Sequence, residues 1–279
     1  MAKDIVFQQK PNNGGKHGPN PTPSLASTVE APKEPSGAPS EPDIQKYYRA
    51  LHTRCGEILE QSIGGENGQK VARSHQFFRE LELWCQELSS RSEAELLRTA
   101  TYEYQFGLLA LCQGNYRQAF KSLRLVLELI LQSTHLSANE LELQEWLANR
   151  KDTIWATITN AENGIFSPRF ARAFFPEVES HVSYHLSMAQ QVYRECSECV
   201  HGNVPKHIPL PEALNFSQES FDLWHAKAHV IALVAHFVLC IRNLLSLKQP
   251  LNDELEAVLL DRVGHIQEIR VKIGGVAGG

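Results

Sequence analysis

Residues 115–132 of the chain read NYRQAFKSLRLVLELILQ, and this stretch decides the fold class. Its apolar side chains recur at the three- and four-residue intervals of an amphipathic helix, at Phe120, Leu123, Leu127 and Ile130. Elsewhere in residues 43–273 there is no useful run of strand-like alternation and no hairpin dipeptide between apolar segments. The sequence therefore predicts an all-α protein.

Capping residues and helix breakers on either side of this stretch set the other boundaries. Ser92 and Glu95 have the spacing of a capping box, and Gly64 and Gly114 are stop signals. We predict helices at about 43–63, 69–88, 92–113, 115–132, 141–149, 152–162, a short one after 168, 177–200, 218–247 and 253–272. Because the connections are short, we expect an antiparallel helical bundle of about nine to ten helices.

Both ends of the chain differ in composition from the helical region. Residues 1–42 contain eight of the fourteen prolines and few large apolar side chains, so they cannot bury enough surface to offset the entropy of ordering. We interpret 1–42 as a disordered Pro/Gly-rich tail, 43–273 as one all-α domain, and 274–279 as a flexible Gly-rich C-terminus.

Charge and composition narrow the range of functions. The 279 residues carry 27 Lys and Arg against 32 Asp and Glu, which argues against a surface built throughout to attract nucleic acid. Six scattered cysteines favour reduced thiols over a disulfide scaffold. The longest apolar run, 228–241, is shorter than the roughly 20 residues of a bilayer span. We expect a cytoplasmic protein without membrane association.

The segment Tyr193–Gly202, YRECSECVHG, holds the residues best suited to chemistry. Arg194 and His201 are seven positions apart, so on a helix they share a face and lie about 10 Å apart along the axis. Arginine presents a fixed fork of donors to phosphoryl oxygens, and histidine can move a proton at neutral pH. These are the two roles needed to cleave RNA by attack of its own 2′-hydroxyl without a metal.

This segment resembles the Arg-X4–6-His signature of the HEPN superfamily. Two more stretches fit that group, GNYRQAFKSLRLVLELIL (Gly114–Leu131) and LELQEWLANRKDTIW (Leu141–Trp155), so the resemblance covers about residues 102–202. It implies a homodimer in which two Arg/His pairs meet across the interface. It also implies either a metal-independent endoribonuclease of toxin–antitoxin or phage-defence systems, with Arg194 and His201 catalytic, or an inactive scaffold; neither needs a cofactor.

A second group of candidate residues lies on the 115–132 helix. Arg117, Lys121 and Arg124 recur at i, i+4 and i+7, opposite the apolar face, and we call them the basic stripe. We predict that the basic stripe binds the RNA backbone as sequence-independent charge. Its alternative is pairing with acidic residues such as Glu128.

Local interpretations compete with the catalytic one at the Arg/His segment. His201 at a helix end is also suited to cap free carbonyls, and Arg194 to pair with Glu198. Cys196 and Cys199 have the spacing of metal ligands, but no second CxxC follows. Packing inside a helix is therefore preferred for the cysteines, and no metal is predicted.

Histidines at helical i, i+4 spacing form two further pairs that could chelate a divalent ion, His181/His185 and His225/His229. The sequence HVSYH lacks the glutamate base of an HExxH helix, and His229 and His236 lie in a strongly apolar segment. We interpret these side chains as satisfied core or interface histidines.

Two functional hypotheses follow. In the first, the chain is a HEPN-like homodimer that cleaves RNA, with His201 as general acid/base and Arg194 stabilising the charged phosphorane. In the second, it is a non-catalytic adaptor or sensor subunit of a bacterial defence or regulatory complex, binding a protein encoded in the same operon. Glu195 favours the second, because active HEPN members often have Asn, Asp or His after the arginine.

Overall fold

The computed structural model describes residues 41–201, 210–211 and 213–275, and every regular element in them is helical. This confirms the predicted all-α fold. The helices are α1 Glu41–Ile63, α2 Gly65–Glu87, α3 Ala94–Cys112, α4 Tyr116–Leu136, α5 Glu140–Leu147, α6 Trp155–Ile158, α7 Pro168–Phe174, α8 Val182–His201, α9 Gln218–Asn243, α10 Asp253–Val263 and α11 Gln267–Lys272. Two 3₁₀ helices, Pro176–His181 and Leu244–Ser246, precede α8 and follow α9.

The predicted terminal segments lie largely outside the described residues. The described residues do not include 1–40 of the predicted tail or 276–279 of the predicted C-terminus. From Gln45 onward the chain forms one compact unit, and of the remainder only the first residues of α1 are described. The assignment of 1–42, 43–273 and 274–279 to tail, domain and C-terminus stays a prediction.

Helices α3 and α4 form a closely packed hairpin. The turn between them contains Gly114, whose φ of +78° is in the left-handed region, where an L side chain is strained. Along the hairpin, a β-carbon on Gly107 would lie 2.7 Å from the β-carbon of Ser122, so the glycine permits the close approach. The Ser122 hydroxyl donates to Glu103 of α3 at 2.6 Å.

Helices α4 and α9 supply the centre of the core. The predicted apolar stripe of α4 is buried at all four positions, Phe120, Leu123, Leu127 and Ile130. Helix α9 packs against α2, α4, α8 and α10, and the Trp224 indole N–H donates to the Ala119 carbonyl of α4 at 3.0 Å. These contacts make α9 the buried core helix that its apolar run predicts.

By length and composition, Gln218–Ser246 alone among the described helices could cross a bilayer. Its most apolar window has a mean hydropathy of 1.8, and 72% of that window is buried inside the protein. A core helix of a globular protein has the same properties. The cytoplasmic location and the lack of membrane association stay predictions.

Two predicted helices are interrupted. The segment 152–162 contains only the single turn α6, because the Asn160 side chain accepts hydrogen bonds from the backbone N–H groups of Glu162 and Asn163, both at 2.9 Å. Such side-chain bonds compete with the helical backbone pattern. The segment 253–272 is divided into α10 and α11 by a turn in which the Ile266 N–H donates to the Val263 carbonyl at 3.0 Å.

A charged network lies inside the bundle. Glu80 of α2, only 2% exposed, accepts hydrogen bonds from His236 Nε2 at 2.9 Å and from Arg262 Nη2 at 2.8 Å. The Trp84 indole N–H donates to His236 Nδ1 at 3.0 Å, which places the ring proton on Nε2. Burial raises the pKa of Glu80, but the hydrogen bonds from His236 and Arg262 and the positive charge of Arg262 outweigh it and hold the pKa below its ordinary value.

Candidate functional site

Helix α8 carries both members of the predicted catalytic pair. It runs without interruption from Val182 to His201, and Arg194 is exposed on it. Because seven residues make about two turns, the positions of Arg194 and His201 lie on one face of the same helix. The side chain of His201 lies outside the described residues, so its role as acid and base stays a prediction.

The charge of the Arg194 guanidinium helps to lower the pKa of the neighbouring Glu195. The guanidinium makes no hydrogen bond and no ion pair among the described residues, and its predicted alternative partner Glu198 does not bind it. An exposed arginine without a carboxylate keeps its full fork of donors for a ligand.

Glu195, the next residue, is occupied by a contact between helices. Its carboxylate forms an ion pair with Lys227 of α9 and accepts a hydrogen bond from Gln191 Nε2 at 3.0 Å. Burial raises the pKa of Glu195, but the Lys227 and Gln191 hydrogen bonds outweigh it and lower the pKa. Glu195 is therefore ionised at neutral pH and joins α8 to α9.

An aromatic and basic cluster next to Arg194 joins α8 to α4. Arg124 donates to Glu128 at 3.2 Å and to the Tyr193 hydroxyl at 2.8 Å, with its guanidinium carbon 4.7 Å from the centroid of the Tyr193 ring. Trp155 stacks on the same ring, with centroids 3.8 Å apart. The alternative that Arg124 pairs with Glu128 is confirmed. The roles of Tyr193 and Trp155 were missed, since no local pattern links residues so far apart.

The other two members of the basic stripe differ in their contacts. Arg117 Nη1 donates to the Cys199 carbonyl at 2.9 Å, which satisfies one of the last carbonyls of α8 and places positive charge at the negative end of its dipole. From the sequence, His201 was the residue suited to cap these carbonyls. Lys121 is exposed and has no hydrogen-bond or ionic partner among the described residues. The structure thus brings Arg117 and Arg124 of the basic stripe into contact with α8, and RNA binding by the stripe stays a prediction.

The two cysteines of α8 are packed inside it. Cys196 and Cys199 are buried, and burial raises the pKa of their thiols to about 12 and about 11. Both thiols are therefore protonated at neutral pH, unlike metal-bound thiolates. In the part of the chain that the structure describes, no three His, Cys, Asp or Glu side chains are grouped to hold a metal ion.

The predicted core histidines are only partly satisfied. His185 is buried face to face with Phe237, with ring centroids 3.5 Å apart, and its Nδ1–H donates to the His181 carbonyl at 2.8 Å. His236 is bonded at both ring nitrogens. His225 is not, because its buried Nε2 has no partner, so the interpretation as a satisfied histidine is wrong for this ring.

Comparison with known proteins found no match for the chain among family models, curated proteins or solved structures. The site itself is a helix fixed to its neighbours through Glu195, Tyr193 and the Cys199 carbonyl, with one unpaired guanidinium exposed at Arg194. Chemically, an exposed guanidinium on such a helix can donate hydrogen bonds to a phosphate oxygen.

Proposed function

We propose that the chain is a HEPN-like helical protein that acts as a homodimer and cleaves RNA without a metal. The observation that carries this proposal is Arg194, exposed and unpaired on α8 two turns before His201. Glu195, Arg124 and Arg117 are bonded to Lys227, to Glu128 and to a backbone carbonyl, whereas Arg194 and Lys121 have no such partner among the described residues.

In the proposed reaction His201 takes the proton of the ribose 2′-hydroxyl while the 2′-oxygen attacks the adjacent phosphorus. The bond from phosphorus to the 5′-oxygen breaks, and that oxygen takes up a proton from protonated His201, which returns to its neutral form. The products are a 2′,3′-cyclic phosphate and a 5′-hydroxyl. Arg194 donates to the non-bridging oxygens, whose negative charge grows in the phosphorane.

Dimerisation explains how the two residues act on one phosphate. Two turns of helix separate them by about 10 Å along the axis, which is far for a single phosphate held between their side chains. Facing copies of α8 shorten this distance, because Arg194 of one copy lies opposite His201 of the other when the helices run antiparallel.

The test is cleavage of a fluorescent RNA by the purified full chain in EDTA. We expect cleavage by wild type, and a loss of about 10²–10³ in rate for Arg194→Ala and for His201→Ala. Arg79→Ala and His52→Ala, at exposed positions on α2 and α1, serve as matched controls with unchanged rates. Cleavage lost in the controls as well, or retained in both site variants, contradicts the proposal.

The alternative of a non-catalytic adaptor has its own support. Glu195 follows Arg194 and is locked to Lys227, and two of the three residues of the basic stripe are used in helix packing. An adaptor keeps its biological effect, and its binding to a protein from the same operon, in Arg194→Ala. An endoribonuclease loses its effect on cell growth in that variant.

A further inference from the structure

Over its last three turns, helix α3 is apolar on two opposite faces. The inner face, with Tyr104, Leu108 and Leu111, is at most 6% exposed and packs into the core. The outer face is exposed, and no element in the described part of the chain packs over it. A helix that is apolar all round is typical of a helix packed on every side. The sequence of α3 is therefore that of a helix with a second partner.

Three large side chains dominate this outer surface, which we call the α3 face. Tyr102 is 59% exposed, Phe106 61% and Leu109 46%. Because they stand at i, i+4 and i+7, they lie within about 60° of one another around the helix axis. They form one continuous apolar stripe along α3.

The α3 face has little charge. The one charged residue of Tyr102–Cys112 is Glu103, which accepts a hydrogen bond from Ser122 of α4. The polar residues of the face itself are the amides Gln105 and Gln113. Interface cores are poor in charge and rich in aromatic side chains. Two copies of an uncharged face also meet without like-charge repulsion, and a glutamine amide, which both donates and accepts, can bond to its own copy.

The exposed apolar area is close to what a dimer interface needs. Leu125 of α4, 39% exposed, lies one turn from Ser122, the residue that meets α3 at Gly107. Together with the three side chains of the stripe, it presents about 400 Å² of apolar surface. A standard interface buries about 800 Å² on each partner, and at about 65% apolar its core needs about 500 Å² of apolar surface. One α3 face supplies most of this, and a second copy supplies the same again.

We propose that a second copy of the chain packs on the α3 face, with the two α3 helices antiparallel about a two-fold axis. In this arrangement Tyr102 of one copy lies opposite Leu109 of the other. The two Phe106 rings meet at the centre, because a two-fold interface pairs the same patch with itself.

The same axis also allows α8 to pair with its own copy. Helices α3 and α8 lie on opposite sides of α4, since Ser122 meets α3 whereas Arg124, about 200° further round the helix, binds Tyr193 of α8. A two-fold axis that crosses all three helices brings each of them antiparallel to its copy. The inference rests on the proposed function only in identifying this dimer with the one that pairs α8.

Charge placed at the centre of the interface tests the proposal, with the mass of the full chain in solution measured by light scattering. Wild type at micromolar concentration is expected to have the mass of two chains. Phe106→Glu and Phe106→Lys are each expected to have the mass of one, because like charges then meet across the axis. An equimolar mixture of the two variants should regain the mass of two chains, since its mixed dimer brings opposite charges together. Tyr48→Glu, at a position of α1 that is 64% exposed, is the matched control and keeps the wild-type mass.

Circular dichroism separates dissociation from unfolding, and all variants should keep the helical content of wild type. The proposal is overturned if the folded wild type has the mass of one chain, if Phe106→Glu keeps the mass of Tyr48→Glu, or if the mixture stays monomeric. RNA cleavage is measured separately. A wild-type dimer that Phe106→Glu dissociates but that leaves RNA intact supports this interface and contradicts the proposed function. RNA cleavage by a dimer that Phe106→Glu does not dissociate has the opposite meaning.

Discussion

Replacing Glu80 by alanine tests how the buried network of Glu80, His236 and Arg262 stabilises the bundle. The three residues lie on α2, α9 and α10, so one carboxylate joins three helices. Without Glu80, the remaining acidic neighbour of Arg262 is Asp261 at 4.0 Å, and that side chain is 80% exposed.

The size of the effect follows from what the substitution leaves behind. Arg262 has a side chain only 14% exposed, and His236 is fully buried, so both would keep donors without a good acceptor. Removing one partner of a buried ion pair costs about 3–5 kcal/mol. Glu80→Gln, which keeps the shape and loses the charge, is expected to cost about 1.5–3 kcal/mol.

Urea denaturation followed by circular dichroism measures these free energies of unfolding. Glu82→Ala is the control, since Glu82 is on the same helix in a partly exposed ion pair with Arg79, and its loss is expected to be about 0.2–1 kcal/mol. A loss for Glu80→Ala no larger than that of Glu82→Ala would refute the reasoning.

The same network predicts the direction of a pH effect. The pKa of Glu80 is lower in the folded than in the unfolded chain, so its contribution is complete above the ordinary pKa of glutamate. That contribution is lost as the pH falls through the folded-state pKa. The difference in stability between wild type and Glu80→Gln should therefore shrink in acid, and a difference that grows there contradicts the assignment.

Four other substitutions have defined outcomes. Burial lowers the pKa of His185 from 6.5 to about 4, so between these values the unfolded chain takes up a proton that the folded chain does not, and the free energy of unfolding falls as the pH falls. His185→Phe should make the free energy of unfolding, measured in urea, depend less on pH in this range. An unchanged pH dependence contradicts this prediction. Lys121→Ala should weaken RNA binding, measured by fluorescence anisotropy, and leave the free energy of unfolding unchanged. Arg124→Ala should weaken RNA binding and also lower the free energy of unfolding by about 1 kcal/mol, because Arg124 of α4 is hydrogen-bonded to Glu128 and to Tyr193 of α8. Equal losses of stability in the two variants would contradict this. Gly114→Ala should cost about 1–3 kcal/mol in urea denaturation, because its φ is +78° and the new β-carbon would lie 2.9 Å from Ile58; a variant as stable as wild type would contradict this.

The fold was largely predictable because the residues that determine a helix lie close together in the sequence. The period of residues 115–132 and the glycine at 114 predict α4 and the turn before it, and both are observed. Where the predicted and observed helices differ, the cause is also local. Asn160 accepts two backbone N–H bonds and limits α6 to one turn, a competition that apolar periodicity does not reveal.

The candidate site was predictable only in part. Arg194 could be singled out because it and His201 share one helix, whereas the contacts that hold α8 join residues distant in sequence. Arg117 donates to the backbone carbonyl of Cys199 in α8. Every residue has such a carbonyl, so the side chain at position 199 does not indicate this contact. Side chains some 150 residues apart likewise meet between α2 and α9, where the Ser74 hydroxyl oxygen lies 2.6 Å from His225 Nδ1.

The most direct test of the proposed function is the cleavage of RNA in EDTA by wild type, by Arg194→Ala and by Arg79→Ala, with the mass of each protein in solution measured alongside. The proposal predicts a dimer in all three, cleavage to 2′,3′-cyclic phosphate ends by wild type and Arg79→Ala, and a loss of about 10²–10³ in rate for Arg194→Ala. A folded wild-type dimer that leaves RNA intact, or an Arg194→Ala variant as active as Arg79→Ala, would contradict it.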